Sequence, residues 1–338
     1  MLTIDGSAGE GGGQILRTAL SLAMVTATPF RIDRIRAGRK KPGLLRQHLT
    51  CVRAAHMISG ARIDGAELGS TTLTFEPQHI RGGVFELNIG SAGSTTLVFQ
   101  TMLPALLAAP EPSRVVLAGG THNPQAPTFD YVDRVFLPLL ARMGAEVSVK
   151  LHRHGFAPAG GGKWHARITP APRLTPLTLE ERGALVTRAA IADVANISFD
   201  VAEREAATMT RLMSWPPDAG APRSIDADGH GNVARLELGF ENLTEIVTGF
   251  GARDRSAESV AAHVIEEARA YLVAGAPVGP HLSDQLLLPL ALAGAGAFVT
   301  TRPTAHTSTN IAVIEKFLPV EFTAEQLDPH RWRIGVSS

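Results

Sequence analysis

The chain lacks most of the features that would assign it at a glance. Among its 338 residues there is one cysteine, Cys51, so no internal disulfide can form and a reducing, cytoplasmic setting is expected. Lys and Arg total 32 and Asp and Glu total 32, which leaves no net charge with histidine neutral. The strongly basic balance of a protein lying along nucleic acid is therefore missing, and any such binding must be local. Long apolar runs are missing too. The longest, Leu286 to Val299, holds Pro289, Gly294 and Gly296 and falls short of the ~18 residues a spanning helix needs, so no membrane partner is expected. The opening Met1-Leu2-Thr3-Ile4-Asp5-Gly6 has no cationic segment followed by an apolar one, and no secretion signal is expected.

What the chain does have is globular composition, with 44% hydrophobic and 19% charged residues, and a length that at about 150 residues per domain suggests two domains. Its glycines cluster where short apolar runs meet helical patterns, in three places. The first is Leu2-Thr3-Ile4-Asp5, Gly6 to Gly13, then a helix burying Ile15, Leu16, Ala19, Leu20, Leu22 and Ala23. The second is Phe85 to Ile89, Gly90-Ser91-Ala92-Gly93-Ser94, then a helix from Thr95 to about Leu107. The third is Ala297 to Thr300, a turn from Arg302 to Ser308, then a helix from Thr309 to about Phe317.

Between the first two lie a strand at Phe30 to Ile35, a helix from Gly43 to about Ser59, and strands near Arg62-Ile63 and Thr72 to Phe75, which reads as a βαβαββ module. A matching pattern runs from Phe85 to about Thr169, with strands near Val115 to Leu117 and Glu146 to Val149 and a helix from Tyr131 to Met143. The segment 182–276 has strand patterns at Ala184 to Ala192 and Arg235 to Gly249 and helices at Val201 to Ser214 and Ala257 to Leu272, and reads as an inserted smaller α/β domain. The expected fold is thus α/β (α+β): a catalytic domain of repeated βαβαββ modules from 1–181 and 277–338, its third repeat split and starting near Arg167.

Few residues carry obvious chemistry. Gly9-Glu10-Gly11-Gly12-Gly13-Gln14 lies between strand and helix, where free N–H groups suit a phosphate. It is not the dinucleotide fingerprint, because Gln14 stands where the last glycine belongs. Gly160-Gly161-Gly162-Lys163 is not a P-loop, because Trp164 follows the lysine. A glycine cluster is often only a structural turn. Glu10 among the glycines could nevertheless ligate Mg²⁺, and Arg17 could grip phosphate. From Arg31 to Arg46 seven cations face one acid, Asp33. Charge runs usually form a solvated face, but confinement to one loop suits the grip of one phosphorylated end rather than a long strand. His306, in Thr304-Ala305-His306-Thr307-Ser308-Thr309-Asn310, is either an ordinary polar loop residue or an imidazole able to attack phosphorus near pH 7. Asp284 and Gln285 open an apolar helix, where Asp284 suits the positive end of the helix dipole.

Taken in order, several segments resemble one family. They are Gly9 to Arg17; Ile35 to Arg39 with Lys41 to Leu49; Gly65 to Ser70; Gly90 to Ser94; His154 to Phe156 with Pro158 to Gly162; and His306 to Ala312. Together they are similar to the RNA 3′-terminal phosphate cyclases, from the first strand to the last helix. The resemblance implies repeated βαβαββ modules with one inserted domain. It also implies an ATP-dependent conversion of an RNA 3′-phosphate to a 2′,3′-cyclic phosphodiester through histidine-bound AMP. Residue by residue it places the nucleophile on His306 and a ligand for Mg²⁺ or Mn²⁺ on Glu10. Phosphate handling falls on Arg17, Arg36 and Arg39, and polar active-site roles on Gln47 and Gln100. The nucleoside pocket falls on Pro127, Tyr131, His281, Asp284 and Gln285. Two positions depart from the family pattern, which has Tyr where this chain has His281 and Phe where it has Tyr131. The implied partner is RNA with a 3′-phosphate end, and a homo-oligomer is left open. Two other readings share the module: a non-catalytic cyclase-like protein of ribosome assembly, which His306, Glu10 and the arginines disfavour, and an enolpyruvyl transferase, which leaves the His306 motif unexplained.

Overall fold

The computed structural model describes residues 1–338. The chain opens β1 (Leu2–Asp5), α1 (Gly13–Thr26), β2 (Phe30–Asp33), α2 (Arg46–Ser59), β3 (Arg62–Asp64) and β4 (Leu73–Glu76), forming a sheet of order β1-β2-β4-β3. β1 and β2 are parallel and β4 runs antiparallel to both its neighbours. The next six elements repeat this plan: β5 (Gly83–Asn88), α3 (Thr95–Leu107), β6 (Ser113–Gly119), a helical stretch, β7 (Glu146–Arg153) and β8 (Gly162–Thr169), with order β5-β6-β8-β7. The helical stretch is α4 (Phe129–Tyr131), a π turn (Val132–Phe136) and α5 (Leu137–Arg142).

A third copy begins at β9 (Leu177–Leu179) and is interrupted. Arg167, where it was expected to begin, lies in β8 opposite Arg114 and Ser148, so it closes the second copy instead. The interrupting segment contains β10 (Leu185–Ala195), α6 (Phe199–Met213), β11 (Gly220–Ser224), β12 (Gly231–Phe240), β13 (Thr244–Phe250) and α7 (Ala257–Ala274), with sheet order β11-β10-β12-β13. The third copy then resumes with α8 (Pro280–Ala293), β14 (Ala295–Thr300), α9 (Ala305–Phe317), β15 (Glu321–Gln326) and β16 (Trp332–Ser337). Its sheet, β15-β16-β14-β9, has the connectivity of the first two.

Packing explains the arrangement. α1 is apolar almost all round, with Ile15, Leu16, Ala19, Leu20, Leu22, Ala23 and Met24 buried, as a helix enclosed on every side must be. It packs on α2, α3 and α9, so the third copy closes against the first. One core of 62 buried residues draws on all three copies, whereas α6, α7 and the sheet β10–β13 contain a separate core of 14. A charged network joins that sheet to the second copy. Arg235, 1% exposed, donates to Asp193 (2.5 Å) and Glu237 (3.1 Å) and lies 3.4 Å from Asp130. Asp130 also pairs with His122 Nε2 at 2.8 Å. Burial works to raise the Asp130 carboxyl, but the His122 hydrogen bond and the Arg235 charge outweigh it and hold the group well below the usual carboxylate range.

Candidate active site

His306 stands in the first turn of α9, where a loop was expected before Thr309. Thr304 starts the helix early: its hydroxyl accepts from the Thr307 N–H while the Thr307 hydroxyl accepts from the Thr304 N–H, both at 3.2 Å, a reciprocal cap. The imidazole is 48% exposed, and its Nδ1 lies 2.9 Å from Gln14 Oε1 and 3.6 Å from Glu10 Oε1. Since an amide oxygen only accepts, Nδ1 is the donor in this contact, and in the neutral ring Nε2 is then the nitrogen with the lone pair. Gln14, the residue that spoils the dinucleotide fingerprint, is thus what orients the histidine.

Glu10 is fixed from both sides. Its backbone N–H donates to Thr309 Oγ1 at 3.0 Å, and its Oε1 pairs with Arg39. Gly9 has φ +55°, and any side chain there would strike Thr309, so the close approach of this turn to α9 requires glycine. Two further bonds lock the helices: Thr18 Oγ1 donates to Asn310 Oδ1 at 2.7 Å, and Asn310 Nδ2 donates to the Asp284 carbonyl at 3.1 Å. Glu10 Oε2 is buried and has no partner.

Behind this pair is a cationic recess. Arg17 on α1 and His48 on α2 both crowd the Cα of Gly13, where a side chain would collide with them. Arg17 has no carboxylate partner, and burial holds its guanidinium below its ordinary value. His48 is pushed down to about 3, first by burial and then by Arg17 and Arg36. Its Nδ1 accepts from the Leu45 N–H at 3.2 Å, which leaves Nε2–H as a neutral donor beside Arg17. His48 was missed as a site residue; the signal was there in its position one residue after Gln47, at the end of the cation-rich run. Arg36 is turned inward instead, donating to the Lys41 and Gly43 carbonyls at 2.5 and 3.0 Å, so it shapes the cationic loop around Arg39.

The remaining residues form a second group drawn from α2, α3, α4 with the loop before it, and α8. Gln100 Nε2 donates to Gln285 Oε1 at 2.5 Å, and Gln285 Nε2 donates to the His281 carbonyl at 3.1 Å. Asp284 accepts from Thr307 Oγ1 at 2.6 Å, which ties this group to the turn of α9 that carries His306; burial raises its carboxyl. Gln47 Oε1 accepts from the Ser94 N–H at 2.7 Å, at the start of α3. The Pro127 carbonyl accepts from Thr96 Oγ1 at 2.7 Å. His281 is exposed, whereas Tyr131 is 5% exposed, packed in the core with its hydroxyl beside Glu245. The Tyr131 ring is therefore enclosed rather than open at the rim.

A divalent metal fits this site in one way. No cluster of three or more His, Cys, Asp or Glu side chains converges in the fold, so an all-protein cage is not offered. The partnerless Glu10 Oε2 offers a single hard oxygen, and Mg²⁺ is commonly held by one or two carboxylates together with substrate phosphates.

Fold and site define a class: a three-copy α/β protein with an oriented, half-exposed histidine beside a carboxylate and a neighbouring arginine that has no acidic partner. The chain belongs to the RNA 3′-terminal phosphate cyclase family, which matches residues 8–324. Proteins named RNA 3′-terminal phosphate cyclase share 52% identity with it in Pseudomonas fluorescens (97% of this chain, 95% of that one), Ralstonia nicotianae (96% and 93%) and Salmonella typhimurium (96% and 96%). Among solved structures, the enolpyruvyl transferase NikO from Streptomyces tendae aligns with 99% of this chain and 48% of its own, at 14% identity and a TM-score of 0.37, too loose a match to bear on function.

Proposed function

We propose that this chain uses ATP to convert an RNA 3′-terminal phosphate to a 2′,3′-cyclic phosphodiester, with His306 carrying AMP between the two substrates. The contact of His306 Nδ1 with Gln14 Oε1, which frees Nε2, is the observation that carries the reading. In the first step Nε2 attacks the α-phosphorus of ATP; a P–N bond forms, the P–O bond to pyrophosphate breaks, and pyrophosphate leaves. Glu10, 3.6 Å from Nδ1, stabilises the positive charge that the ring acquires. Arg17, Arg39 and the His48 N–H meet the phosphate oxygens. A bound Mg²⁺ or Mn²⁺, held by Glu10 Oε2 and the phosphates, would neutralise charge on the triphosphate. Gln100, Gln285, Asp284 and His281 would face the nucleoside, with Pro127 and Gln47 of α2 beside them; the Tyr131 ring, enclosed in the core, would support this pocket from behind.

In the second step an oxygen of the RNA 3′-phosphate attacks the AMP phosphorus and the P–N bond breaks, restoring neutral His306. In the third the vicinal 2′-OH attacks the activated 3′-phosphorus and expels AMP, with its proton passing to solvent. That step is intramolecular, so orientation supplies much of its rate. We take residues 182–276 as an inserted unit in a catalytic body of 1–181 and 277–338, a division supported by the separate core of α6, α7 and β10–β13. A cytoplasmic site of action is supported by the single, buried Cys51. No helix is long and apolar enough to cross a membrane.

The test is incubation with α-labelled ATP and Mg²⁺ or Mn²⁺, followed by addition of an RNA ending in a 3′-phosphate. An acid-labile, base-stable label that disappears in His306→Asn and is discharged by that RNA is expected. Label retained in His306→Asn, or no label in the parent, would overturn the reading. A non-catalytic binding protein or an enolpyruvyl transferase takes no label.

A further inference from the structure

The three copies of the module each turn one sheet face outward, and their charges differ. On the first, Arg31 pairs with Asp33 (2.9 Å) and Arg62 with Glu76 (2.7 Å). On the third, Arg333 pairs with Glu180 (2.8 Å), and Glu321 and Glu325 are exposed. The second presents Arg114 from β6, Lys163 and Arg167 from β8 and Lys150 from β7, all exposed and none in an ion pair. They are neighbours by register: Arg114 opposes Arg167, and Lys150 opposes His165. A bulge at His152 sets its ring against His165, stacked at 4.9 Å between centroids, with Nε2 and Nδ1 2.7 Å apart. The acids on this face, Glu86 and Glu146, stand on the outer strands β5 and β7.

Folding does not require this pattern, because in the two other sheets of the same topology the arginines have acidic partners. Unpaired like charges destabilise a surface unless an anion covers them. His165 lies within this field: burial first, and then His152, Arg114, Arg167 and Lys150, hold its imidazole below its ordinary value. The patch is assembled from three strands, so it was invisible in the sequence, where the cations concentrate at residues 31–46. It also leads to the site. β5 and β6 run toward the turn Gly90–Ser94, whose Ser94 N–H donates to Gln47, and Lys163 sits opposite Ala118 at that end.

Resting on the cyclase reading above, we propose that this face is the track for the phosphate backbone of single-stranded RNA leading to the 3′ end, gripped by Arg114, Lys150, Lys163 and Arg167. The stacked His152 and His165 rings offer a surface on which a base can lie. Such binding is indifferent to sequence and sensitive to salt.

The test compares a 20-nucleotide RNA with a dinucleotide, both ending in a 3′-phosphate, in the parent and in the double variant Lys150→Glu/Arg167→Glu. For the long RNA, losing two phosphate contacts should raise KM by about tenfold near physiological salt and flatten the log–log salt slope by roughly 1.4. The dinucleotide KM, kcat and the labelling of the protein by ATP should not change. Equal loss for both RNAs, or none for the long one, would overturn the proposal. Fluorescence anisotropy with the same 20-mer in the absence of ATP separates this idea from the reaction itself: weakened binding by the double variant supports the track even if no cyclic product forms. Parent protein that binds phosphatidylserine vesicles through these residues but not the RNA would overturn it in favour of a membrane surface.

Discussion

Two clusters of charge in this protein are built from similar parts and finished differently. Around Arg235 each acid is matched: Asp193 takes Arg235 and Arg223, Asp130 takes His122 and Arg235, and Glu237 takes Arg235 and Arg134. Around His306 the matching stops short. Glu10 keeps a buried, partnerless oxygen, Arg17 has no carboxylate, and the imidazole is half open to solvent. Buried polar groups are almost always satisfied, so the unpartnered Glu10 oxygen in this half-exposed cluster is a group that a bound ligand would satisfy. The closed network holds the inserted segment to the second copy; the open one is where the proposed chemistry would take place.

Paired substitutions break that comparison most sharply. His306→Ala should remove covalent labelling and cyclisation, a fall of roughly 10⁴-fold or more, while urea unfolding stays within about 0.5 kcal/mol of the parent. Arg235→Met should do the reverse. Removing one member of a buried ion network leaves Asp193 and Asp130 uncompensated, and unfolding should become easier by about 3–5 kcal/mol, with activity falling only as the folded fraction falls. If Arg235→Met instead abolished labelling in fully folded protein, the division of labour between the clusters would be wrong.

A third cluster gives a pH signature. Glu245, buried beside Tyr131 and near Tyr271 with its Arg182, is pushed up by burial to about 7, and Glu205 is raised to about 7 by the same cause. In each case the folded state holds a proton that the unfolded chain gives up near 4.5. The associated stability is full below that pH and is lost as pH rises to 7. Glu245→Gln should flatten this decline by about 3 kcal/mol between pH 4.5 and 7, read from denaturant midpoints at several pH values. An unchanged slope would mean that Glu245 is ionised in the folded protein.

How much of this the sequence displayed depended on distance along the chain. The strand–turn–helix units were legible because their periodicity and glycine punctuation are local, and the parts of the inserted segment with clear periodicity were legible too. β11 was not, because Gly220 and Pro222 disguise an edge strand. The π turn after Tyr131 left no mark in composition. Arg167 was misassigned because a strand closing one repeat and a strand opening the next look alike until they are paired. At the site, Glu10 and His306 were legible as candidates from the glycines and hydroxyls around them and took definite roles from a family pattern, but Gln14 as the orienting acceptor depends on a contact 292 residues away in sequence, and no local signal carries it.

Smaller effects sharpen the picture of the open cluster. Glu10→Ala should lower labelling at limiting metal by about 10- to 100-fold and recover in part at high Mn²⁺, measured as initial rates across a metal titration. Loss that does not respond to metal would assign Glu10 to bracing the glycine turn and the imidazole alone. His281→Tyr should change the ATP concentration for half-maximal labelling by only a few-fold, about 1 kcal/mol, because an exposed ring gains little on covering one face of a base. No change at all would put His281 outside the nucleoside pocket.

The contact between α1 and α9 also bears on how the molecule is made. Gln14 is synthesised 292 residues before His306, and their junction is also held by the Glu10–Thr309 and Thr18–Asn310 bonds. Contacts of such separation form late and slowly, after the local modules have condensed. A nascent chain can therefore bring Arg17 and His48 together around Gly13 while His306 still lacks the Gln14 contact that orients it. If His306 carries AMP as proposed, the last closure of the fold is also the step that completes the site, and a chain that has not closed would take no label from ATP.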